Sequence, residues 1–122
     1  MEKIIEFIRE FYYNYTMQTI ESIEKTIKEN VAVMVYFSAP TCSVCHALKP
    51  KLLAAIEENF ENFIVISVDV SHNQEIAAHF SVFAIPTVLI FLDSKESLRK
   101  SRHMSVDEVI RAIKRPYEIM NA

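Results

Sequence analysis

The sequence predicts a single α/β domain, and three observations support this prediction. Apolar, β-branched runs of strand length alternate with stretches whose apolar residues recur at helical spacing. The 122 residues fit one domain that can bury a core without disulfide or metal support. No internal repeat, low-complexity tract or linker divides the chain. We therefore take residues 1–122 as one domain.

The first quarter of the chain is predicted to be mainly helical. Apolar residues within residues 2–13 recur at the spacing of an amphipathic helix. Residues 12–16 are β-prone, which leaves open a short strand at this point. Helical spacing then returns with three isoleucines and ends near Asn30, a residue type suited to a C-terminal cap. Residues 1–29 thus form a predicted N-terminal helical extension.

The middle of the chain alternates strand and helix. Residues 31–37 form a continuous apolar run, which is typical of a strand buried on both faces in a parallel sheet. Residues 43–59 carry apolar residues at helical offsets, and Pro50 predicts a kink within this helix. Residues 63–69 are predicted to form a second buried strand.

Two further strands follow a third helix. Ser71 and Gln74 have the spacing of a capping box, which starts this helix. Residues 88–92 form the next predicted strand. A polar turn over residues 93–97 then leads into an antiparallel edge strand over residues 98–101.

A capped helix closes the chain. Ser105 and Glu108 form a second capping box, and Pro116 is expected to end the helix at Arg115. The predicted order is helix, helix, strand, helix, strand, helix, strand, strand, helix, which is an α/β pattern.

The composition excludes several classes of function. The chain contains no glycine, so it lacks a Walker loop, a G-x-G-x-x-G dinucleotide turn and a G-x-S-x-G nucleophile elbow. Thirteen basic and sixteen acidic residues are mixed along the chain and leave a net charge of −3, so we expect neither nucleic acid nor a membrane as partner. We see no secretory signal and no stretch approaching the ~20 apolar residues that cross a bilayer, and we therefore expect a cytoplasmic protein.

Cys42 and Cys45 lie where a predicted strand ends and a helix begins. Unpaired N–H groups and the positive end of the helix dipole favour the thiolate at Cys42. A spacing of three residues brings the two Cα atoms within disulfide range. The loop closed by such a bridge is too short to constrain the unfolded chain much, so a stabilising role is disfavoured. We expect a redox-active Cys42–Cys45 disulfide and no bound cofactor.

Several segments of the chain resemble the thioredoxin family in order and spacing. They are residues 31–37, Ala39-Pro40-Thr41-Cys42-Ser43-Val44-Cys45, the helix that contains Pro50, Ile85-Pro86-Thr87 and the closing capped helix. The resemblance covers residues 31–115 and rests on two separate motifs at the family's interval.

The resemblance implies a thioredoxin-like three-layer α/β/α sandwich with a central mixed sheet and an extra N-terminal helix. It implies that Cys42 is the exposed nucleophile and that Cys45 is the more buried resolving thiol. It further implies that Pro86 is cis and lies beside the disulfide, so that the backbone of Ile85 pairs with an extended substrate.

The resemblance also implies partners. The protein would reduce disulfide-containing proteins by dithiol–disulfide exchange and would be recharged by a thioredoxin-reductase-like or other dithiol donor. We expect a monomer, with a dimer through the N-terminal helix as the alternative. The alternative function is a weakly active or non-catalytic binding module that docks partners through that helix or through the Pro86 groove. Retention of both cysteines at the helix start favours the enzyme.

Five positions depart from the family's usual pattern. Thr41 stands where the family has a tryptophan beside the substrate, while Ser43 and Val44 replace Gly-Pro and are expected to tune the redox potential. Tyr36 takes the position of a buried acid, and a phenol is a poor base at neutral pH. The glycine that the family usually has in its substrate groove falls near Arg102. If Arg102 approaches Cys42, we expect it to favour the thiolate and to select partners by shape or acidity.

Two other chemistries share part of the cysteine motif. With His46 it spells C-x-x-C-H, the c-type haem attachment sequence, but haem attachment normally needs an exported chain. A zinc ion at the two cysteines would need two more ligands, and the remaining histidines show no paired spacing: His72, His79 and His103. We therefore expect no metal.

Overall fold

The computed structural model describes residues 18–122 and places a mixed sheet between two layers of helices. The elements are α1 (Ile20–Glu29), β1 (Ala32–Ser38), α2 (Ser43–Asn59), β2 (Phe63–Asp69), α3 (Gln74–His79), β3 (Thr87–Leu92), β4 (Lys95–Ser101) and α4 (Val106–Met120). This order confirms the α/β prediction for the described residues. The helix predicted over residues 2–13 and the β-prone residues 12–16 lie outside them.

The sheet has the strand order β2-β1-β3-β4. β1 runs parallel to β2 and antiparallel to β3, and β4 pairs antiparallel with β3. β1 is buried along nearly its whole length, as its continuous apolar run predicts, because helices cover both of its faces. β2 instead alternates between buried and half-buried residues, so the prediction that it is fully buried was wrong.

Helices on opposite faces of the sheet enclose two apolar clusters. On one face, α1 and α3 cover a cluster that includes Phe37 and Leu89. On the other face, α2 and α4 cover a cluster that includes Met34 and Tyr36. Neighbouring residues of β1 thus point into different clusters, since successive side chains of a strand alternate in direction. The result is the expected three-layer α/β/α sandwich.

The start of α3 differs from the predicted capping box at Ser71. Asn73 is the N-cap and makes no side-chain capping bond. The backbone N–H and the hydroxyl of Ser71 both donate to Oδ1 of Asp69, at 2.9 and 2.6 Å. The Asp69 carboxylate at the end of β2 therefore binds the Ser71 side chain, which is then not available to cap α3. Acidic side chains commonly compete in this way with nearby backbone and side-chain bonds.

The turn between β3 and β4 is shorter than predicted. β4 begins at Lys95 instead of residue 98, which leaves only Asp93 and Ser94 between the strands. Both have positive φ, at 51° and 68°, as a tight two-residue hairpin requires. The pairing of β3 with β4 contains a bulge, because Ile90 pairs with Leu98 but the next residue, Phe91, pairs with Glu96.

Pro116 does not end the closing helix, because α4 continues to Met120. The prediction that it stops at Arg115 was wrong, and tertiary packing explains why. The hydroxyl of Tyr117 donates to the Glu61 carbonyl at 2.7 Å and accepts from the Glu61 N–H at 3.1 Å. Its ring packs edge-on against Phe60 with centroids 4.9 Å apart. These contacts offset the backbone hydrogen bond that a proline removes. No helix within residues 18–122 is both long and apolar enough to cross a membrane.

Candidate active site

The cysteine pair lies at the carboxyl end of β1, where the chain turns into α2. Cys42 is the N-cap of α2, and its backbone N–H donates to the Ala39 carbonyl at 3.0 Å. The Cys45 N–H donates to Sγ of Cys42 at 3.2 Å. Sulfur therefore takes the place of the oxygen that usually caps a helix, and it sits at the positive end of the helix dipole. This is the placement that favours a thiolate at Cys42.

Cys42 and Cys45 form a disulfide with Cα atoms 5.3 Å apart, within the normal range. The two sulfurs differ in access to solvent. Cys45 is 1% exposed, whereas Cys42 is half-buried and open to approach from outside. This asymmetry is what a division into attacking and resolving thiols requires.

Tyr36 lies beneath the pair in the α2 and α4 cluster and is fully buried. Its hydroxyl donates to the Cys45 carbonyl at 2.8 Å. Burial raises the pKa of Tyr36 to about 12, because a phenolate would lose its solvation inside the core. At neutral pH the hydroxyl therefore stays protonated and acts as a donor to the backbone, which agrees with the expectation that it is a poor base.

The Ile85–Pro86 peptide bond is cis, as the resemblance implies. Pro86 is buried, and Ile85 and Cys42 both pack against the α2 and α4 cluster. The structure thus brings the segment before β3 to the same end of the molecule as the disulfide. The carbonyl of Pro86 accepts a hydrogen bond from the Arg102 N–H at 2.7 Å.

Arg102 is exposed and has a positive φ of 62°. This left-handed backbone is one that glycine adopts readily, which agrees with the expectation that the family's glycine falls near Arg102. The effect of its side chain on the thiolate and on partner choice stays a prediction.

The remaining predicted residues lie on the surface around the disulfide. Thr41, Ser43 and Val44 are all exposed. Their roles in substrate contact and redox tuning stay predictions.

Two histidines of the described region make ring hydrogen bonds. The His46 ring nitrogen Nε2 lies 2.9 Å from the Pro40 carbonyl and, with its proton on that atom, donates to it. His79 pairs with Glu24 at 2.9 Å. Within residues 18–122 no group of three or more histidine, cysteine or acidic residues could hold a metal ion.

Phe83 and Arg99 have notable positions in the structure that the sequence did not predict. Phe83 lies in an apolar stretch that resembles the approach to a strand, yet the structure leaves it largely in solvent. Arg99 donates to two carbonyls of the loop before β3. No local sequence signal predicts the exposure of Phe83 or the hydrogen bonds of Arg99, because both depend on residues that are distant along the chain.

Comparison with known proteins supports the same assignment. The family model "Thioredoxin" matches residues 14–115. Thioredoxin-like protein YdfQ of Bacillus subtilis is 33% identical over 103 residues, which cover 84% of this chain and 91% of the relative. Protein disulfide-isomerase 1 of Caenorhabditis elegans is 35% identical over 85 residues, which cover 67% of this chain and 18% of that protein.

A solved structure agrees in fold and sequence. Thioredoxin 1 from Thermosipho africanus superposes with a TM-score of 0.67 and 34% identity, covering 74% of this chain and 99% of that one. The residues that the family model matches, 14–115, include both the cysteine pair and the segment around Pro86. The chain belongs to the thioredoxin family.

Proposed function

We propose that this protein reduces disulfide bonds of partner proteins through Cys42 and Cys45. Thiol–disulfide oxidoreductase chemistry follows from its family and from a cysteine pair at disulfide distance. Reduction of proteins is the direction we assign to that chemistry. The observation that carries the proposal is the unequal access to the pair, with Cys42 reachable at the helix start and Cys45 buried behind it.

In the proposed reaction both cysteines begin as thiols. The Cys42 thiolate attacks one sulfur of the partner disulfide, and the other partner sulfur leaves as a thiolate and takes up a proton. The Cys45 thiolate then attacks Sγ of Cys42 in the mixed disulfide and displaces the second partner sulfur. Two electrons and two protons have passed to the partner, and the Cys42–Cys45 disulfide has formed. A dithiol donor returns the pair to its reduced state.

The local hydrogen bonds support distinct parts of this cycle. The Cys45 N–H, 3.2 Å from Sγ of Cys42, stabilises negative charge on that sulfur. Tyr36 holds the Cys45 carbonyl and keeps its own proton, so the proton of Cys45 passes to solvent or to the departing partner thiolate. We assign the protein to the cytoplasm, because a reductant needs surroundings in which a dithiol donor can recharge it.

A weakly active binding module is the second candidate function. The protonated Tyr36 hydroxyl, in place of the family's buried acid, favours it. A protonated phenol at this position supplies no base for the second step. Reduction of insulin in the presence of dithiothreitol, followed by turbidity, separates the two candidates. We expect catalysis by the wild type and none by Cys42→Ser. A folded wild type that does not accelerate the reaction would contradict the enzyme and favour the module.

The direction of the reaction is tested by the redox potential. Equilibration of the pair with glutathione, followed by mass spectrometry of alkylated protein, gives the potential directly. A value near the roughly −270 mV of thioredoxin supports a reductase, and one near the roughly −120 mV of DsbA would make the protein an oxidant.

A further inference from the structure

Arg102 brings a positive charge to the position beside Pro86. It follows β4 directly and is exposed. Its backbone N–H donates to the Pro86 carbonyl at 2.7 Å, and its φ is 62°. This hydrogen bond ties the Arg102 backbone to the segment before β3. The charged side chain is therefore attached to a backbone that is already held in place.

Arg102 lies at the same end of the sheet as the disulfide. Thr87 pairs with Phe37 of β1 on one side and with Ser101 of β4 on the other. The hydroxyls of Thr87 and Ser101 are 2.9 Å apart and share a hydrogen bond. The row that these residues form crosses the sheet at the end of β1 that leads to Cys42. Neighbouring strands are about 4.8 Å apart, so the end of β4 is roughly 10 Å from the end of β1.

The chain's own carboxylates leave Arg102 without an ion pair. The two cations that precede it on β4 both have one. Arg99 donates to Glu96 twice, at 2.8 and 3.0 Å. Lys100 pairs with Glu108 at 3.1 Å. Among the residues that the structure describes, no carboxylate lies within 4 Å of the Arg102 guanidinium.

The carboxylates at this end of the molecule have other favourable surroundings. Asp69, at the end of β2, accepts from the Ser71 hydroxyl at 2.6 Å. Asp107 lies in the first turn of α4, where the helix dipole stabilises a negative charge. The guanidinium of Arg102 is thus available to a group from outside the chain.

The chemistry of the guanidinium indicates which group this is. Its planar fork of N–H donors matches the two oxygens of a carboxylate. The chain as a whole carries a net charge of −3, so its long-range field disfavours acidic partners. Selection of an acidic partner must therefore come from a local contact, and Arg102 supplies one beside the redox site.

We propose that Arg102 is a specificity-determining residue that binds an Asp or Glu carboxylate of the partner protein, within about three residues of the attacked disulfide. This inference rests on the proposed reduction of protein disulfides. An extended chain advances about 3.3 Å per residue, so three residues span the roughly 10 Å between the ends of β1 and β4. The ion pair stays in contact with water, so it selects among partners without holding them tightly.

Three disulfide-linked peptides provide the test. They carry Glu, Gln or Lys at the third residue on either side of the cystine and are otherwise identical. At low ionic strength we expect kcat/KM of the wild type to be about fivefold higher for the Glu peptide than for the Gln peptide, at the upper end for exposed ion pairs. The Lys peptide should be the poorest of the three. About 0.5 M sodium chloride should reduce the preference to about twofold or less, because salt screens exposed charges.

Three variants of Arg102 separate its charge from its shape. Arg102→Gln should abolish the preference, and Arg102→Glu should reverse it in favour of the Lys peptide. Arg102→Lys keeps the charge but not the fork, and it should retain a preference of about twofold or more. All three variants keep a Cβ, so the cost of the positive φ is similar in each. Comparison of two peptides within one variant cancels any change in the reactivity of Cys42.

Arg115→Gln is the matched control, because it removes the same charge from an exposed position of α4. Arg115 lies two residues before Tyr117, whose hydroxyl bonds to Glu61 beside the start of β2. This is the opposite end of the parallel pair from Cys42. The control should keep the fivefold preference, and circular dichroism shows whether each variant is folded.

The outcomes separate this inference from the proposed function. Reduction of insulin with equal kcat/KM for the Glu and Gln peptides overturns the inference alone. A preference that persists in folded Arg102→Gln does the same. An equal loss of preference in Arg115→Gln would assign it to the overall charge and would also overturn the inference. A wild type that reduces neither insulin nor any peptide overturns the proposed function and the inference with it.

Discussion

Removal of the Tyr36 hydroxyl should change how stability depends on pH. In the folded protein the hydroxyl donates to the Cys45 carbonyl at 2.8 Å, and burial raises the pKa of Tyr36 from 10.0 to about 12. At pH 7 the Tyr36→Phe variant should lose this hydrogen bond and about 1 kcal/mol of unfolding free energy. Because the folded pKa is raised, the stability linked to the protonated phenol is complete below pH 10 and is lost as pH rises toward 12.

The size of this loss follows from the two pKa values. Each unit of pKa difference is worth about 1.4 kcal/mol of unfolding free energy. The wild type should therefore lose roughly 1.4 kcal/mol of unfolding free energy through Tyr36 by pH 11, and up to about 3 kcal/mol above pH 12. Phenylalanine does not titrate, so the two proteins should become equally stable near pH 11. Urea unfolding followed by circular dichroism at pH 7, 10 and 11 measures the difference, and other titrating groups cancel between the proteins. A gap that stays constant through pH 11 would refute the reasoning.

Three further predictions concern contacts that hold the fold together. Ser105→Ala removes the side-chain cap of α4 and should cost about 1 kcal/mol in urea unfolding, whereas Ser105→Asp should retain most of the stability. Tyr117→Phe deletes both hydrogen bonds to Glu61 and should lower stability by about 1 kcal/mol and increase hydrogen exchange in the last turn of α4; unchanged exchange there would contradict the account of Pro116. Arg99→Ala should increase protease cleavage in the loop that carries Phe83 and leave reduction of small disulfides unaffected, so loss of that activity would count against a purely local role.

Sequence alone predicted the elements whose signals are local. The β-branched run of β1 and the helical spacing of α2 are properties of consecutive residues, and the strand and helix formed at nearly the predicted positions. The cysteine pair at their junction followed from that arrangement. The cis bond before Pro86 and the burial of Cys45 came instead from the family resemblance.

The errors arose where other groups, near or far along the chain, compete with a local signal. Ser71 has the spacing of a cap, but Asp69 engages its hydroxyl first. Pro116 resembles a helix end, but the bonds between Tyr117 and Glu61, 56 residues apart, carry the helix past it. Phe83 was not singled out because apolar composition does not reveal whether a side chain faces the core or solvent.

A chain without glycine places ordinary residues wherever its backbone turns left-handed. Five described residues do so. Two of them lie near Pro86: Ser81, whose carbonyl accepts from Arg99, is in the loop before it, and the N–H of Arg102 donates to the Pro86 carbonyl. A left-handed backbone costs any residue with a Cβ roughly 1–2 kcal/mol relative to glycine. Such a residue also has fewer backbone conformations in the unfolded chain than glycine has. The backbone beside the disulfide, at Ser81 and Arg102, therefore has fewer conformations available than a wall of the groove that contained glycine would have. We expect such a wall to adapt less to the shape of its partners, so that the protein acts on a narrower set of disulfides.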